Sequence, residues 1–101
     1  MIARLWRGAV RADDAEAYVE YLEQTGLQAL RGTPGNEGAY AFRRVDGDRC
    51  EYLVLSLWSS IEDVKRFAGT EPERAVFYRE DDRFLIDRDL TVTHWDVASS
   101  S

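Results

Sequence analysis

The sequence predicts an α+β fold in which helices cover one face of an antiparallel sheet, and three observations predict it. The first is the strand-like stretch Glu51 to Trp58 (EYLVLSLW), which is apolar on both faces and leads directly into a helical stripe. The second is Asp46-Gly47, a strong hairpin signal just before that strand. The third is the order of the elements, β-α-β followed by a hairpin and a second β-α-β. This order is the ferredoxin-like βαββαβ arrangement.

The first strand and the first helix are predicted from alternation and from a helical apolar stripe. The stretch from Ile2 to Val10 alternates between two faces. One face carries Ile2, Arg4, Trp6 and Gly8. The pair Asp13 and Glu16 is a capping-box start for the helix that follows. The apolar stripe of this helix is Ala15, Tyr18, Val19 and Leu22.

A loop separates this helix from a hairpin of two strands. Gly26 ends or bends the helix, and the glycines and proline of residues 31–38 (RGTPGNEG) predict a loop. Ala39 to Val45 is the second strand, which Asp46-Gly47 joins to the central strand. On the central strand, Leu53, Leu55 and Leu57 point one way and Tyr52, Val54, Ser56 and Trp58 the other. Because both faces are apolar, both need cover, and we expect helices on one and a second subunit on the other.

The second half predicts two helices and a last strand. Ser59 with Glu62, or Ser60 with Asp63, caps a helix that Gly69 stops. Its buried stripe is Ile61, Val64, Phe67 and Ala68. A short helix from Thr70 through Tyr78, an acidic loop at residues 80–82 and a strand from Leu90 to Val97 follow. The sequence therefore predicts one domain over residues 1–97 and a disordered tail over residues 98–101.

The composition limits the partners and the compartment. Nineteen acidic and thirteen basic residues give a formal net charge of −6, which argues against nucleic acid and anionic membranes as partners. No stretch reaches the roughly 20 apolar residues of a membrane span, and the chain begins directly as a strand, so we expect a cytoplasmic protein. Cys50 is the only cysteine and is expected to be a plain strand residue.

Four motifs together suggest a family. They are TPGNEGAY (Thr33 to Tyr40), LSLWSSIEDVKRFAG (Leu55 to Gly69), ERAVFY (Glu73 to Tyr78) and HWDV (His94 to Val97). With these motifs the chain resembles the antibiotic biosynthesis monooxygenase family of dimeric α+β barrel proteins, which also includes haem-degrading monooxygenases. The resemblance implies that two sheets pack face to face in a homodimer. It also implies that each subunit holds a pocket between its own helices and sheet.

The resemblance extends less well to the site. Anthrone-oxidising members of the family use a tryptophan at the end of the third strand, which Trp58 matches, with an asparagine, a tyrosine and an arginine. Val54, Val64 and Tyr78 stand at those other three places. Haem-degrading members add a first-strand asparagine and a histidine ligand after the second helix. Trp6 and Phe77 stand there, so haem binding in that manner is not expected.

The candidate site residues follow from what a cofactor-free oxygenase needs, namely a surface for a flat ring, one base and one hydrogen-bond donor. His94, the only histidine, is the first choice for the base, and Trp58 is the second catalytic candidate. The predicted substrate-binding residues are Trp6, Arg4, Tyr40, Tyr52, Phe77 and Tyr78. Each of these side chains can instead be a packing residue.

The predicted function is that of a cofactor-independent monooxygenase that oxidises a small aromatic or polyketide substrate, of the anthrone or quinol type, with O2. No cofactor is expected, because G-x-G-x-x-G, P-loop, serine-elbow and C-x-x-C patterns are all missing. No metal is expected either, since the acidic run at residues 80–82 is typical of a solvated turn. A cyclase or isomerase on the same scaffold, a non-catalytic ligand-binding dimer and haem binding through His94 stay open as alternatives.

Overall fold

The computed structural model describes residues 1–100 and contains a five-stranded antiparallel sheet with helices on one face. The strands are β1 (Ile2–Arg11), β2 (Asn36–Asp46), β3 (Arg49–Trp58), β4 (Leu85–Arg88) and β5 (Thr93–Asp96). The helices are α1 (Ala15–Gln24), α2 (Gly26–Gly32), α3 (Ile61–Ala68) and α4 (Asp81–Phe84), and a 3₁₀ turn spans Ala12–Asp14. The strand order is β2-β3-β1, and both β4 and β5 pair with the far edge of β1. The predicted α+β, ferredoxin-like arrangement is confirmed.

The register of β1 against β3 decides which side chains lie under the helices. Trp6 pairs with Val54 and Gly8 with Tyr52, so the two alternating patterns share one face. That face carries the core, whose fully buried members include Val10, Tyr18, Leu27, Tyr52, Trp58 and Val64. The predicted division of β1 and β3 into two faces is confirmed.

The two helix starts differ in how they are capped. At α3, the Oγ of Ser60 accepts a hydrogen bond from the backbone N–H of Asp63 at 3.3 Å, so this one of the two predicted caps is confirmed. The predicted capping box of Asp13 and Glu16 is wrong. The chain leaves β1 through the 3₁₀ turn, where the N–H of Ala12 donates to the carbonyl of Asp48, and α1 has no side-chain cap.

The predicted helix between Thr70 and Tyr78 is wrong, and this segment instead pairs with the connection between β4 and β5. The N–H of Ala75 donates to the carbonyl of Leu90 at 3.0 Å, and the N–H of Val92 donates to the carbonyl of Glu73 at 2.8 Å. These hydrogen bonds give the backbone groups of the segment partners without a helix. A helix of only two turns would be marginal by itself, because its first turn is costly to form. The segment therefore lies along the edge of the covered face without helical structure.

The ends of two predicted strands also differ. The second strand begins at Asn36 rather than Ala39, with a shift of register against β3 between Asn36 and Gly38. The last strand is shorter than predicted, Thr93–Asp96, and β4 precedes it. Residues 98–100 have no regular secondary structure, and Ser101 lies outside the described residues. Among residues 1–100, no helix is both long enough and apolar enough to span a membrane.

Candidate functional site

A small cavity lies under α1 and α2, against the covered face of the sheet. Its volume is about 50 Å³, which is room for a few water molecules. Its apolar wall is formed by Leu22, Leu27, Leu30, Val54, Phe67 and Val76. The rest of the wall is formed by Arg4, Trp6, Tyr18, Gly26, Phe77, Tyr78 and Asp81. Two of these residues bring opposite charges into an otherwise apolar space.

Arg4 of β1 brings a buried positive charge. Its side chain is 5% exposed, Nη2 donates to the carbonyl of Arg74 at 3.0 Å, and Nε has no partner. No ion pair among residues 1–100 includes Arg4. Burial lowers the pKa of its guanidinium from 12.5 to about 10, so the group stays charged at neutral pH. A buried guanidinium without a carboxylate is suited to bind an anionic oxygen of a ligand.

Asp81 of α4 brings a buried negative charge. It is 4% exposed, and its carboxylate accepts hydrogen bonds from the backbone N–H of Tyr78 at 2.6 Å and the hydroxyl of Tyr18 at 3.4 Å. Burial is the largest cause that raises the pKa of its carboxyl. The predicted solvated turn is therefore wrong for this residue, because α4 begins here and turns the side chain toward α1.

The charges of Asp81 and Arg4 act in opposite directions on the pKa of the Tyr78 hydroxyl. Burial and the charge of Asp81 raise the pKa of this hydroxyl, and the charge of Arg4 opposes them. The phenol is therefore neutral at neutral pH and can donate a hydrogen bond. Tyr78 lines the cavity, so this hydroxyl is placed to donate to a ligand there.

Trp6 and Phe77 supply an aromatic wall. The two rings meet edge to face, with centroids 6.1 Å apart, and the guanidinium of Arg88 lies 4.8 Å from the Phe77 centroid. The indole N–H of Trp6 donates to the carbonyl of Asp89 at 2.8 Å, so this group is not available to a ligand. A Cβ on Gly8 would overlap the Trp6 ring, so glycine is what allows the indole to lie along β1.

Trp58 and Tyr52, two of the predicted site residues, lie in the core and not on the cavity wall. Both are fully buried. The indole N–H of Trp58 donates to the Oγ of Ser56 at 2.8 Å, and the hydroxyl of Tyr52 donates to the carbonyl of Ala15 at 2.6 Å. Their polar groups are thus partnered within the protein, as buried indoles and phenols usually are.

His94 and Tyr40 also lie off the wall. His94 pairs with Arg4 across the strands but does not line the cavity, and its buried Nε2 has no partner among residues 1–100. Burial and the charge of Arg4 lower the pKa of its imidazole. Tyr40 lies on the opposite face of the sheet, 50% exposed and stacked on Phe42. Of the eight predicted site residues, the cavity brings together Arg4, Trp6, Phe77 and Tyr78.

The sequence reasoning missed Asp81 and Tyr18 as cavity residues. The helical pattern predicts Tyr18 only as part of the apolar stripe of the first helix, although a phenol at such a position needs a polar partner when buried. The sequence contains that partner 63 positions later. No local pattern joins the two residues, and the fold alone brings them together.

The same fold is seen in solved structures at low sequence identity. A protein described as a putative antibiotic biosynthesis monooxygenase from Bacillus cereus is 20% identical, with a TM-score of 0.70 over 100% of this chain and 94% of that chain. The heme-degrader MhuD from Mycobacterium tuberculosis, solved with two hemes in its active site, is 17% identical, with a TM-score of 0.60 over 100% and 99% of the two chains. No family model and no curated protein matches the sequence. The likeness confirms the fold that the resemblance implied.

The residues present do not fit a haem like those bound in MhuD. His94, the only imidazole, is not on the wall. Among residues 1–100, no group of three or more His, Cys, Asp or Glu side chains is placed to hold a metal ion.

Proposed function

We propose that this chain is a cofactor-independent monooxygenase of the antibiotic biosynthesis monooxygenase family, which acts on a small aromatic or polyketide substrate of the anthrone or quinol type. The observation that carries the proposal is the unpaired, buried guanidinium of Arg4 on the wall of an apolar, aromatic cavity. The likeness in fold to a putative monooxygenase supports the scaffold.

The chemistry needs an anionic substrate and protection from water. A deprotonated anthrone or quinol can give an electron to O2 directly, and the two radicals then combine. When an anthrone is oxidised, one oxygen atom of O2 becomes the new carbonyl and the other leaves as water with the two methylene hydrogens. Arg4 would hold the oxyanion, Tyr78 would donate to the same oxygen, and the apolar wall would exclude water.

The size of the cavity bears on the substrate. About 50 Å³ does not accept even one ring without movement of the wall. The wall residues Val76, Phe77 and Tyr78 belong to the only part of it that is neither helix nor strand. We expect this segment to move outward when a ring enters, and the smallest quinols to need the least movement.

The test is oxygen uptake by metal-free and flavin-free protein against a panel of anthrones and hydroquinones. The variant Arg4→Gln should lower kcat/KM by roughly 10²–10³-fold, as expected when one donor to a developing oxyanion is lost. Arg43→Gln is the matched control, because Arg43 is 42% exposed, forms an ion pair with Glu16 on the surface and does not line the cavity. Uptake no faster than autoxidation across the panel would contradict the proposal.

A second candidate is an enzyme that moves a proton without using oxygen, such as an isomerase or cyclase. The observation that favours it is the pair of opposite, unpaired charges on one cavity wall, Arg4 and Asp81. Such a pair can remove a proton and stabilise the resulting enolate without any oxidant. Formation of a rearranged product from the same panel under nitrogen would select this reaction.

A further inference from the structure

We propose that Asp81, and not His94, takes the proton from the substrate, and that the cavity holds the substrate with its acidic hydrogen toward Asp81 and its oxygen toward Arg4. This inference rests on the proposed function for the class of substrate, which it narrows to flat rings with a C–H made acidic by conjugation to a carbonyl, as in an anthrone. It assigns a catalytic role to a residue that the sequence patterns leave in an ordinary acidic loop.

Asp81 is placed to act as a base on a ligand in the cavity. Its side chain is 4% exposed and lines the same cavity as Arg4. The two hydrogen bonds that it accepts, from Tyr78 and Tyr18, fix the orientation of the carboxylate. An ionised carboxylate has about four lone-pair sites, so it can still accept a proton from a ligand. A carboxylate that is buried, held in place and without an ion pair is better suited to act as a base than a carboxylate on the surface.

His94 is less well placed than Asp81 to act as the base. It does not line the cavity, and its cross-strand neighbour is the cation Arg4. A positive charge beside the ring disfavours the imidazolium that a base must become. Arg88 is the cation near Asp81 and lowers the pKa of that carboxyl, but burial outweighs it and favours the neutral, protonated form. The same burial that makes the carboxylate costly makes it a stronger base than an exposed aspartate.

Each element packed against Asp81 contributes a charged or titratable group. These groups are Tyr18 and Tyr21 of α1, Tyr78 of the preceding segment, Asp82 of α4 and Arg88 of β4. The three phenols have raised pKa values and stay neutral. The charge of Asp82 raises the pKa of Asp81 and that of Arg88 lowers it, while burial remains the largest cause. The proton-transfer rate should therefore fall at acidic pH, through a pKa above the ordinary 3.8 of aspartate.

The proposed step is balanced without a co-reactant. The C–H bond of the substrate breaks, the proton forms an O–H bond with a carboxylate oxygen of Asp81, and the electron pair stays on the substrate. The negative charge spreads to the substrate oxygen, where Arg4 and Tyr78 bind it. In the proposed oxygenase, this anion is the species that reacts with O2.

The experiment measures proton transfer separately from oxidation. Anthrone and 2-tetralone are incubated anaerobically with the protein in D2O, and loss of the methylene signal is followed by proton NMR against buffer alone. The wild-type protein should speed the exchange, and Asp81→Asn should lower the protein-dependent rate at least 100-fold. Asp46→Asn is the matched control and should stay within twofold, because that side chain is exposed at the end of β2 and does not line the cavity.

Several results would overturn the inference. They are exchange by Asp81→Asn at the wild-type rate, no exchange by the wild-type protein, and loss of exchange in His94→Ala alone. If Asp81→Asn fails to fold, as judged by circular dichroism, the pH profile of wild-type exchange decides. An acid limb above pH 3.8 upholds the base, and a flat profile overturns it. Exchange without oxygen uptake would contradict only the proposed oxygenase function. Oxygen uptake that is unchanged in Asp81→Asn would contradict only this inference.

Discussion

The two faces of the sheet depart from the usual distribution of residues in opposite ways. The covered face buries charge, since Arg4 is 5% exposed beneath the helices and Asp81, on the wall of the same cavity, is 4% exposed. The open face exposes large apolar side chains, with Phe42 at 50%, Leu53 at 38% and Trp95 at 59%. A buried charge and an exposed apolar patch are the two informative exceptions to ordinary burial. The first indicates a site for a ligand, and the second indicates a surface that needs a partner.

The largest expected effect compares one tryptophan from each face. Trp58→Ala should lower the free energy of unfolding by roughly 3–5 kcal/mol, because it empties a fully buried position that packs on Phe67. Trp95→Ala removes a ring that is 59% exposed and should change it by less than about 1 kcal/mol in the isolated subunit. Urea unfolding at several protein concentrations checks both variants. Equal losses would mean that the two faces are buried alike.

The same pair of variants separates the subunit from the dimer. A loss that comes from the core of one chain does not depend on protein concentration, whereas a loss at a subunit interface does. The effect of Trp58→Ala should therefore be constant across concentrations. Any effect of Trp95→Ala should grow as the protein is made more concentrated.

The next effect tests the predicted homodimer itself. Leu53→Lys places a positive charge in the middle of the open face, directly opposite Arg7, and should weaken self-association by at least about 100-fold, since a buried charge that faces a like charge is costly. Leu90→Lys is the control, because Leu90 is 70% exposed in the connection before β5. Sedimentation equilibrium of both variants and of the wild-type protein gives the association constants. A wild-type protein that stays monomeric would leave the open face without the partner proposed for it.

The difference between the faces also explains what the sequence could predict. The alternation of β1 and β3 predicts both faces correctly, because a side-chain period of two assigns each residue of a strand to one face. The predicted hairpin joins β2 to β3, with Gly47 and Asp48 as its two turn residues. The pattern contains no such signal for Asp81, which lies in a run of three acidic residues. Its burial depends on Tyr18, 63 positions away. Local periodicity therefore predicts the sheet, and only the fold assembles the charged cavity.

The strand β4 was missed for a related reason. Its four residues, Leu85–Arg88, include two charges and only one side chain, Leu85, that packs against the core. It pairs with β1 through an irregular register at Ala9 and Val10. A short edge strand with one inward apolar residue does not alternate long enough to be recognised. The predicted helix at residues 70–78 fails because its backbone finds partners beyond the segment, at residues 90 and 92.

The smallest expected effect concerns His94 and the acid sensitivity of the covered face. Burial and the charge of Arg4 lower the pKa of His94 in the folded protein below its ordinary 6.5. The unfolded chain therefore binds the proton more readily, and stability is lost as the pH falls below about 6.5 toward the lower, folded value. His94→Gln removes this contribution. Thermal unfolding from pH 7 to pH 5 should show the wild-type protein losing stability relative to His94→Gln.

Asp81 supplies the opposite sign and sharpens the test. Its pKa is raised in the folded protein, so the stability linked to its proton is present at acidic pH and is lost as the pH rises through the folded pKa. Relative to Asp81→Asn, the wild-type protein should therefore gain stability as the pH falls, whereas relative to His94→Gln it should lose stability. Two differences that run in the same direction would mean that one of these side chains is not in the environment described. Opposite slopes would show that the covered face disfavours the charged form of His94, which lies beside Arg4, and also the charged form of Asp81. A substrate would then meet a positive charge at Arg4 and a carboxylate that readily takes up a proton at Asp81.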